Sequence, residues 1–450
     1  AAVAALVLAA CGDDDDDTAS TDAPAAGTDA PAATDAPSET DAPEATDAPS
    51  DTDAPSDTDA PAETDGDAGG DPLGTPNPAT GEPVKLGLIT EGGSDAIGGQ
   101  SQLTETGAQA AVDYLNEYRG GFAGHEIELI ICGNQATPAG AADCANQMVE
   151  DDVIAVTMPF TGYGSVQSPI ITGAGIPNID LSASSQEELT QPNNFALTGG
   201  YVATLGAWAQ YAADEGFTKF SHIVIDVPSA TNAARDVGGL VFGNAGVDYE
   251  VIPVAPGTPD MTPQVQTAIS GGADAIAVTG DVTFCTSYMQ AYKTLAVDLQ
   301  NFVISPCISP ETISSLGDVL AGSVLTTLTS AEGDDIELYA AMVEEYADDV
   351  DPNPSISAGV FSGVTSVMDV AAAFEQFEGD TVDAAAVIEL LKSAVDVPLF
   401  GSGGLTYTCD GTAIPSLANV CSAQYNIGIL GPDGIPTDLT PVDPSDLFAT

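Results

Sequence analysis

The chain has 450 residues, of which 68 are acidic and only 6 basic, for a net charge of −62. Nucleic acids and anionic membrane surfaces are recognised through basic patches, so neither is a partner of a surface this acidic. Such a surface stays soluble at high salt, where screening relieves its self-repulsion.

Residues 1–10 are small or apolar and end at Cys11. Ten such residues cannot span a bilayer, which needs about 20, but they have the length and small-residue ending of a signal-peptide core. Leu8, Ala9, Ala10 and Cys11 resemble the lipobox of bacterial lipoproteins, in which the Cys is joined to a diacylglycerol and becomes the mature N-terminus. Residues 1–11 are therefore read as a residual signal peptide and lipobox, with Cys11 as the lipidation site. The absence of an initiator Met and of a basic leading segment implies that the first residues of the precursor are missing.

From 12 to 83 the sequence is a low-complexity linker. The tetrapeptide Thr-Asp-Ala-Pro recurs from 21, 28, 34, 40, 46, 52 and 58. Proline breaks helices, like charges repel and there is almost no large apolar side chain to bury, so a disordered, extended acidic tether is expected. A β-helix rung would need a buried apolar position, and this repeat offers only Ala.

The composition changes near Gly81, and strand-like apolar runs then alternate with helical patterns, the mark of an α/β fold with parallel sheets. The predicted strands of a first series cover 84–89, 125–131, 153–158 and 176–181. Those of a second cover 222–226, 249–254, 275–279 and 302–305. Helical patterns cover 101–118, 138–149, 357–378 and 382–393, and a short β-rich segment closes the chain.

Seven cysteines are present. With Cys11 lipidated, the other six fall into three sequence-local pairs, Cys132 with Cys144, Cys285 with Cys307 and Cys409 with Cys421, which an exported location allows to oxidise. No CxxC spacing occurs, and His125 and His222 stand apart, so zinc is disfavoured and no metal or cofactor is expected.

The order of motifs resembles the leucine/isoleucine/valine-binding type of substrate-binding protein, the extracellular receptor of an ABC importer. The pieces are VKLGLIT before a Gly/Ser loop, GAQAAVDYLNE with GGFAGHEIELII, PAGAADCANQMV, VIAVTMPFTGYG and AGIPNIDLSAS, followed by GGADAIAVTGD and FSGVTSVMDVAAAFEQ. The resemblance implies two Rossmann-like lobes joined by three crossovers, here 84–200 with 326–397 as lobe I and 201–325 with 398–450 as lobe II. It also implies a ligand captured in the interlobe cleft by hinge closure, permease subunits as partners, a monomer, and a place on the outer face of the cytoplasmic membrane, held by the lipid on Cys11.

In open parallel sheets ligands sit beyond the carboxyl ends of the strands. That rule selects Ser94 after the first strand, Thr161 and Tyr163 after the third, and Ser182, Ala183 and Ser184 after the fourth. The glycines and hydroxyls of these loops suit a carboxylate or other small polar head group. In the resembled family the loops equivalent to Thr161 and Ser182 through Ser184 hold the α-carboxylate of an amino acid. The second half departs from that pattern. The acid that usually pairs with the ligand ammonium after the strand ending near Ser305 is displaced to Glu311 or lost, and the aromatic residue after the lobe's first strand is replaced by Pro228, Ser229, Ala230, Thr231 and Asn232. Asp281 could supply the negative charge, with Phe284 or Tyr163 as an apolar wall; alternatively the ligand is an amide, a carboxylate or another small metabolite without an ammonium.

Enzymatic activity is not expected. No GxSxG is present, both histidines stand at strand starts, and a carboxylate pair such as Glu91 with Asp281 is better explained by the abundance of acids. A ligand-sensing surface receptor of the same fold is the alternative.

Overall fold

The computed structural model describes residues 71–449, apart from 94–97, 160, 184, 355 and 356. Cys11, Ser94, Ser184 and the repeats lie outside the described residues.

The first sheet contains β1 (Gly81–Thr90), β2 (His125–Gly133), β3 (Ala155–Met158), β4 (Asn178–Ser182) and β5 (Asn194–Thr198), all parallel, in the order β2-β1-β3-β4-β5. The second contains β6 (Lys219–Ile225), β7 (Asp248–Val254), β8 (Ala275–Thr279), β9 (Gln300–Ile304) and β10 (Val324–Thr327), parallel in the order β10-β9-β8-β6-β7. Both sheets are covered by helices on each face, which is why β3 (AVTM) and β8 (AIAVT) are short, continuous apolar or hydroxyl-bearing runs and buried throughout. The two-residue strands β11 (Val397–Pro398) and β12 (Thr406–Tyr407) pair with each other. β13 (Tyr425–Leu430) and β14 (Pro436–Val442) then extend the second sheet beside β10 in antiparallel fashion.

The chain passes between the sheets three times: from β5 into the helix Gly200–Asp214, from β10 into the helix Asp334–Tyr346, and from Cys421 into β13. Each sheet has its own core. Trp208, Phe220 and Phe302 pack together on one face of the second sheet, and Tyr288 and Met289 on the other. Under the first sheet the helices Gly98–Tyr114 and Ala358–Phe374 are pressed together through glycines. A Cβ on Gly107 would lie 2.0 Å from the carbonyl oxygen of Val360, and one on Gly363 2.0 Å from that of Thr104.

Three boundaries differ from those read in the sequence. The fold begins before residue 84, because Leu73 is buried in the first core and β1 starts at Gly81. β10 belongs whole to the second sheet rather than being divided at 326. Residues just after 397 pack with the first sheet's core, where Leu399, Phe400, Leu405 and Tyr407 are buried and the Tyr407 hydroxyl donates to Asp369 O at 2.8 Å. β5 (NFALT) and β10 (VLTT) were not anticipated.

The three cysteine pairs form as expected, with Cα–Cα separations of 5.5 Å for Cys132–Cys144, 5.2 Å for Cys285–Cys307 and 4.2 Å for Cys409–Cys421.

Candidate functional site

In each sheet the strand order reverses at one point, and the loops leaving the strands there diverge and open a crevice. In the first sheet this point lies between β1 and β3, in the second between β6 and β8. The loops after β1 and β3 touch: Glu91 Oε1 accepts from the Gly162 backbone N–H at 2.7 Å. Thr161 is buried, donating to Gln167 Oε1 and accepting from Tyr163 N, both at 3.0 Å. The Tyr163 hydroxyl donates to Ala136 O. Ser182 stands at the end of β4 opposite Thr198 of β5, their hydroxyls 3.2 Å apart, and Ala183 packs half-buried against the second core.

Beneath these loops lies a polar cluster without a base. Asn178 Nδ2 donates to both carboxylate oxygens of Asp180, and Asn194 Nδ2 donates to Asp180 Oδ2 at 2.7 Å. Burial raises the Asp180 carboxyl well above its ordinary range and the charge of Glu188 adds to that, against the two amides.

Beyond the second sheet's reversal, two expectations change. Asp281 is exposed and caps the helix Val282–Thr294, accepting from Phe284 N at 2.9 Å. An N-terminal turn presents unpaired N–H groups, and this carboxylate satisfies one of them. Phe284 is not a cleft wall, because its ring is turned into the core and is only 2% exposed.

A large opening lies next to the three chain crossings. A cleft of about 970 Å³ is lined by Leu181 and Thr198 of the first sheet, by Ile304 and Thr326 of the second, and by Tyr201 and Tyr425 at two of the crossings. One face of the helix Ala358–Phe374 supplies Phe361, Thr365 and Asp369, four residues apart, so they stack along the cleft. None of Thr161, Tyr163, Ser182, Ala183, Asp281 or Phe284 lines it, although Ser182 reaches it through Thr198. The Cys285–Cys307 bond fastens the segment carrying Pro306 and Ile308, which do line it, to the helix behind.

Asp369 is 1% exposed and accepts from Phe400 N at 2.7 Å. Burial pushes its carboxyl up to about 8, with Asp335 adding to the rise and the Phe400 N–H opposing it. Thr326 Oγ1, in the same cleft, has no hydrogen-bond partner among the described residues. Sequence reasoning missed these residues because it followed strand ends. A signal was present, since Asp369 is the one charged residue in an otherwise apolar and small-residue helix of 17. His222 is wholly buried between Tyr249 and Thr279 at 2.7 and 2.9 Å, and burial drives it down to about 3, so it is a neutral core residue.

Among the described residues no helix is long and apolar enough to cross a membrane. No curated protein matches the chain in sequence. Solved structures are similar to it in fold. A putative branched-chain amino acid ABC transporter from Rhodospirillum rubrum superposes with a TM-score of 0.65 at 17% identity, over 81% of this chain and 100% of that one. A leucine-binding protein from Thermotoga maritima gives 0.60 at 16%, over 81% and 99%. A solute-binding protein of an ABC transporter from Rhodopseudomonas palustris, in complex with 3,4-dihydroxybenzoic acid, gives 0.59 at 19%, over 81% and 99%. The family model described as periplasmic binding protein matches residues 83–420. Two parallel sheets, three crossings and this match together place the chain in the periplasmic binding protein family, on the leucine/isoleucine/valine-binding plan.

Proposed function

We propose that the protein is the solute-binding receptor of an ABC importer and captures a small ligand by closure of its two lobes. The observation that carries this reading is the cleft of about 970 Å³, lined from both sheets where the chain crosses between them. A solute there touches both halves, so it binds the closed arrangement more tightly than the open one and shifts the population toward it. The fold neighbours are named for branched-chain amino acids and a dihydroxybenzoic acid, which supports an amino acid or a related amide or carboxylate as the ligand here. The receptor is non-enzymatic, monomeric, exported and held at the outer face of the cytoplasmic membrane by a lipid on Cys11, with permease subunits as the partners that read the closed form.

Thermal-shift screening against amino acids, amides and small carboxylates tests the reading. A ligand raises the melting temperature in proportion to RT ln(1 + [L]/Kd), and small-angle scattering on the complex should show a smaller radius of gyration. Failure of every solute to stabilise the protein would sink it.

A further inference from the structure

The cleft has one buried carboxyl and nothing basic in it. None of the six Lys and Arg residues lines it. Of its two carboxyls, Asp433 is exposed and Asp369 is buried. Among the described residues the only hydrogen bond to the Asp369 side chain is the one from Phe400 N to Oδ1, which leaves Oδ2 without a partner. Asp335 is close by and of the same sign, its Oδ2 accepting from Gly401 N at 2.9 Å, so the backbone N–H groups of 400 and 401 are each taken by a carboxylate. The Thr326 hydroxyl, 4% exposed, is a second unpaired polar group in the same space. The remaining walls are largely apolar, as at Leu181, Ile304, Leu325, Phe361 and Phe400.

A buried carboxylate is tolerated when it is paired, and an isolated one is costly. A solute's carboxylate placed here would meet no cation; a protonated amine would supply the missing partner and favour the ionised form of Asp369. We infer that Asp369 seats the ammonium group of a ligand whose apolar body fills the cleft, with Thr326 Oγ1 as a further hydrogen-bonding contact. The inference rests on the reading of this cleft as the solute site and narrows it to amine-bearing solutes. It also places recognition of the amine on the helix Ala358–Phe374, away from Asp281.

Four probes sharing the 3-methylbutyl unit decide it: leucine, 3-methylbutylamine, which lacks the carboxylate, 4-methylpentanoate, which lacks the amine, and the neutral 3-methyl-1-butanol. Calorimetry at pH 8.5 on the full chain and on Asp369→Asn reads them out. That variant keeps an acceptor for Phe400 N–H, and its cooperative thermal unfolding shows that the fold is intact. At least one amine-bearing probe is expected to bind tenfold or more tighter than 4-methylpentanoate and than the alcohol, and Asp369→Asn to remove that advantage. Equal or tighter binding of 4-methylpentanoate, an amine affinity indifferent to Asp369→Asn, or no binding of any of the four overturns the inference. If some other solute from the wider screen still binds the wild type, the receptor reading stands without it; if none does, both fall.

Discussion

Glu91 and Gly162 join the two loops that flank the reversal of strand order in the first sheet, the Glu91 carboxylate accepting from the Gly162 backbone N–H at 2.7 Å. The contact fixes the loop carrying Thr161 and Tyr163 against the end of β1. Hydrogen bonds to a charged partner contribute about 1.5–3 kcal/mol, less where solvent competes. Glu91→Ala should therefore lower stability by about 1 kcal/mol in urea unfolding, and an unchanged midpoint would show that the contact contributes nothing.

Gly363→Ala tests the helix pair below. The new methyl would overlap the Thr104 carbonyl, a backbone atom that cannot rotate away, so the helices Gly98–Tyr114 and Ala358–Phe374 must separate. Overpacking of this kind costs about 1–3 kcal/mol. A melting temperature equal to that of the wild type would mean the helices move apart freely.

The Cys285–Cys307 bond closes a loop with a sequence separation of 22. Replacing both cysteines by Ala should cost about 3 kcal/mol by the loop-entropy model. It should also weaken solute binding several-fold, because Pro306 and Ile308 lose their anchor. The same exchange at Cys409 and Cys421 is the control, expected to reduce stability and leave affinity within about twofold, since neither residue lines the cleft.

Stability should depend on pH through buried groups of opposite sense. The Asp369 carboxyl rises from 3.8 to about 8 on folding. In the unfolded chain it ionises from about pH 4 upward, so above that pH the folded state holds the extra proton and stability falls as pH rises from about 4 to 8. His222 falls from 6.5 to about 3, so the unfolded chain takes up a proton that the folded one refuses, and stability falls as pH drops from about 6.5 to 3. Asp369→Asn should flatten the limb between pH 5 and 8 in guanidinium titrations and leave the acid limb in place. A variant that tracks the wild type across pH 5 to 8 would remove Asp369 as the cause.

Cys11→Ser should move the protein from the membrane fraction to the soluble fraction of producing cells while solute affinity stays within about twofold. Retention on the membrane would remove the lipid on Cys11 as the anchor.

By itself the sequence determined the fold class, the pairing of six cysteines and the approximate positions of eight of the ten described parallel strands. These follow from local quantities: apolar runs of strand length, sequence-near cysteines, and helices such as Pro138–Glu150 that carry their own cap in Thr137. Strand-end reasoning placed Thr161, Tyr163 and Ser182 at the carboxyl edge of the first sheet, because any parallel sheet gathers such residues at one edge. Only the tertiary structure decided which side chains face the large cleft. Whether Phe284 points into the core or outward, and whether Asp281 serves a ligand or the first turn of its own helix, depends on how that helix sits on the second sheet. Asp369 lies 188 positions after Leu181 and 43 after Thr326 in the chain yet shares a wall with both, and that meeting comes from three crossings far apart in sequence. No local period encodes such a contact, since it depends on the packing of one helix against segments remote from it.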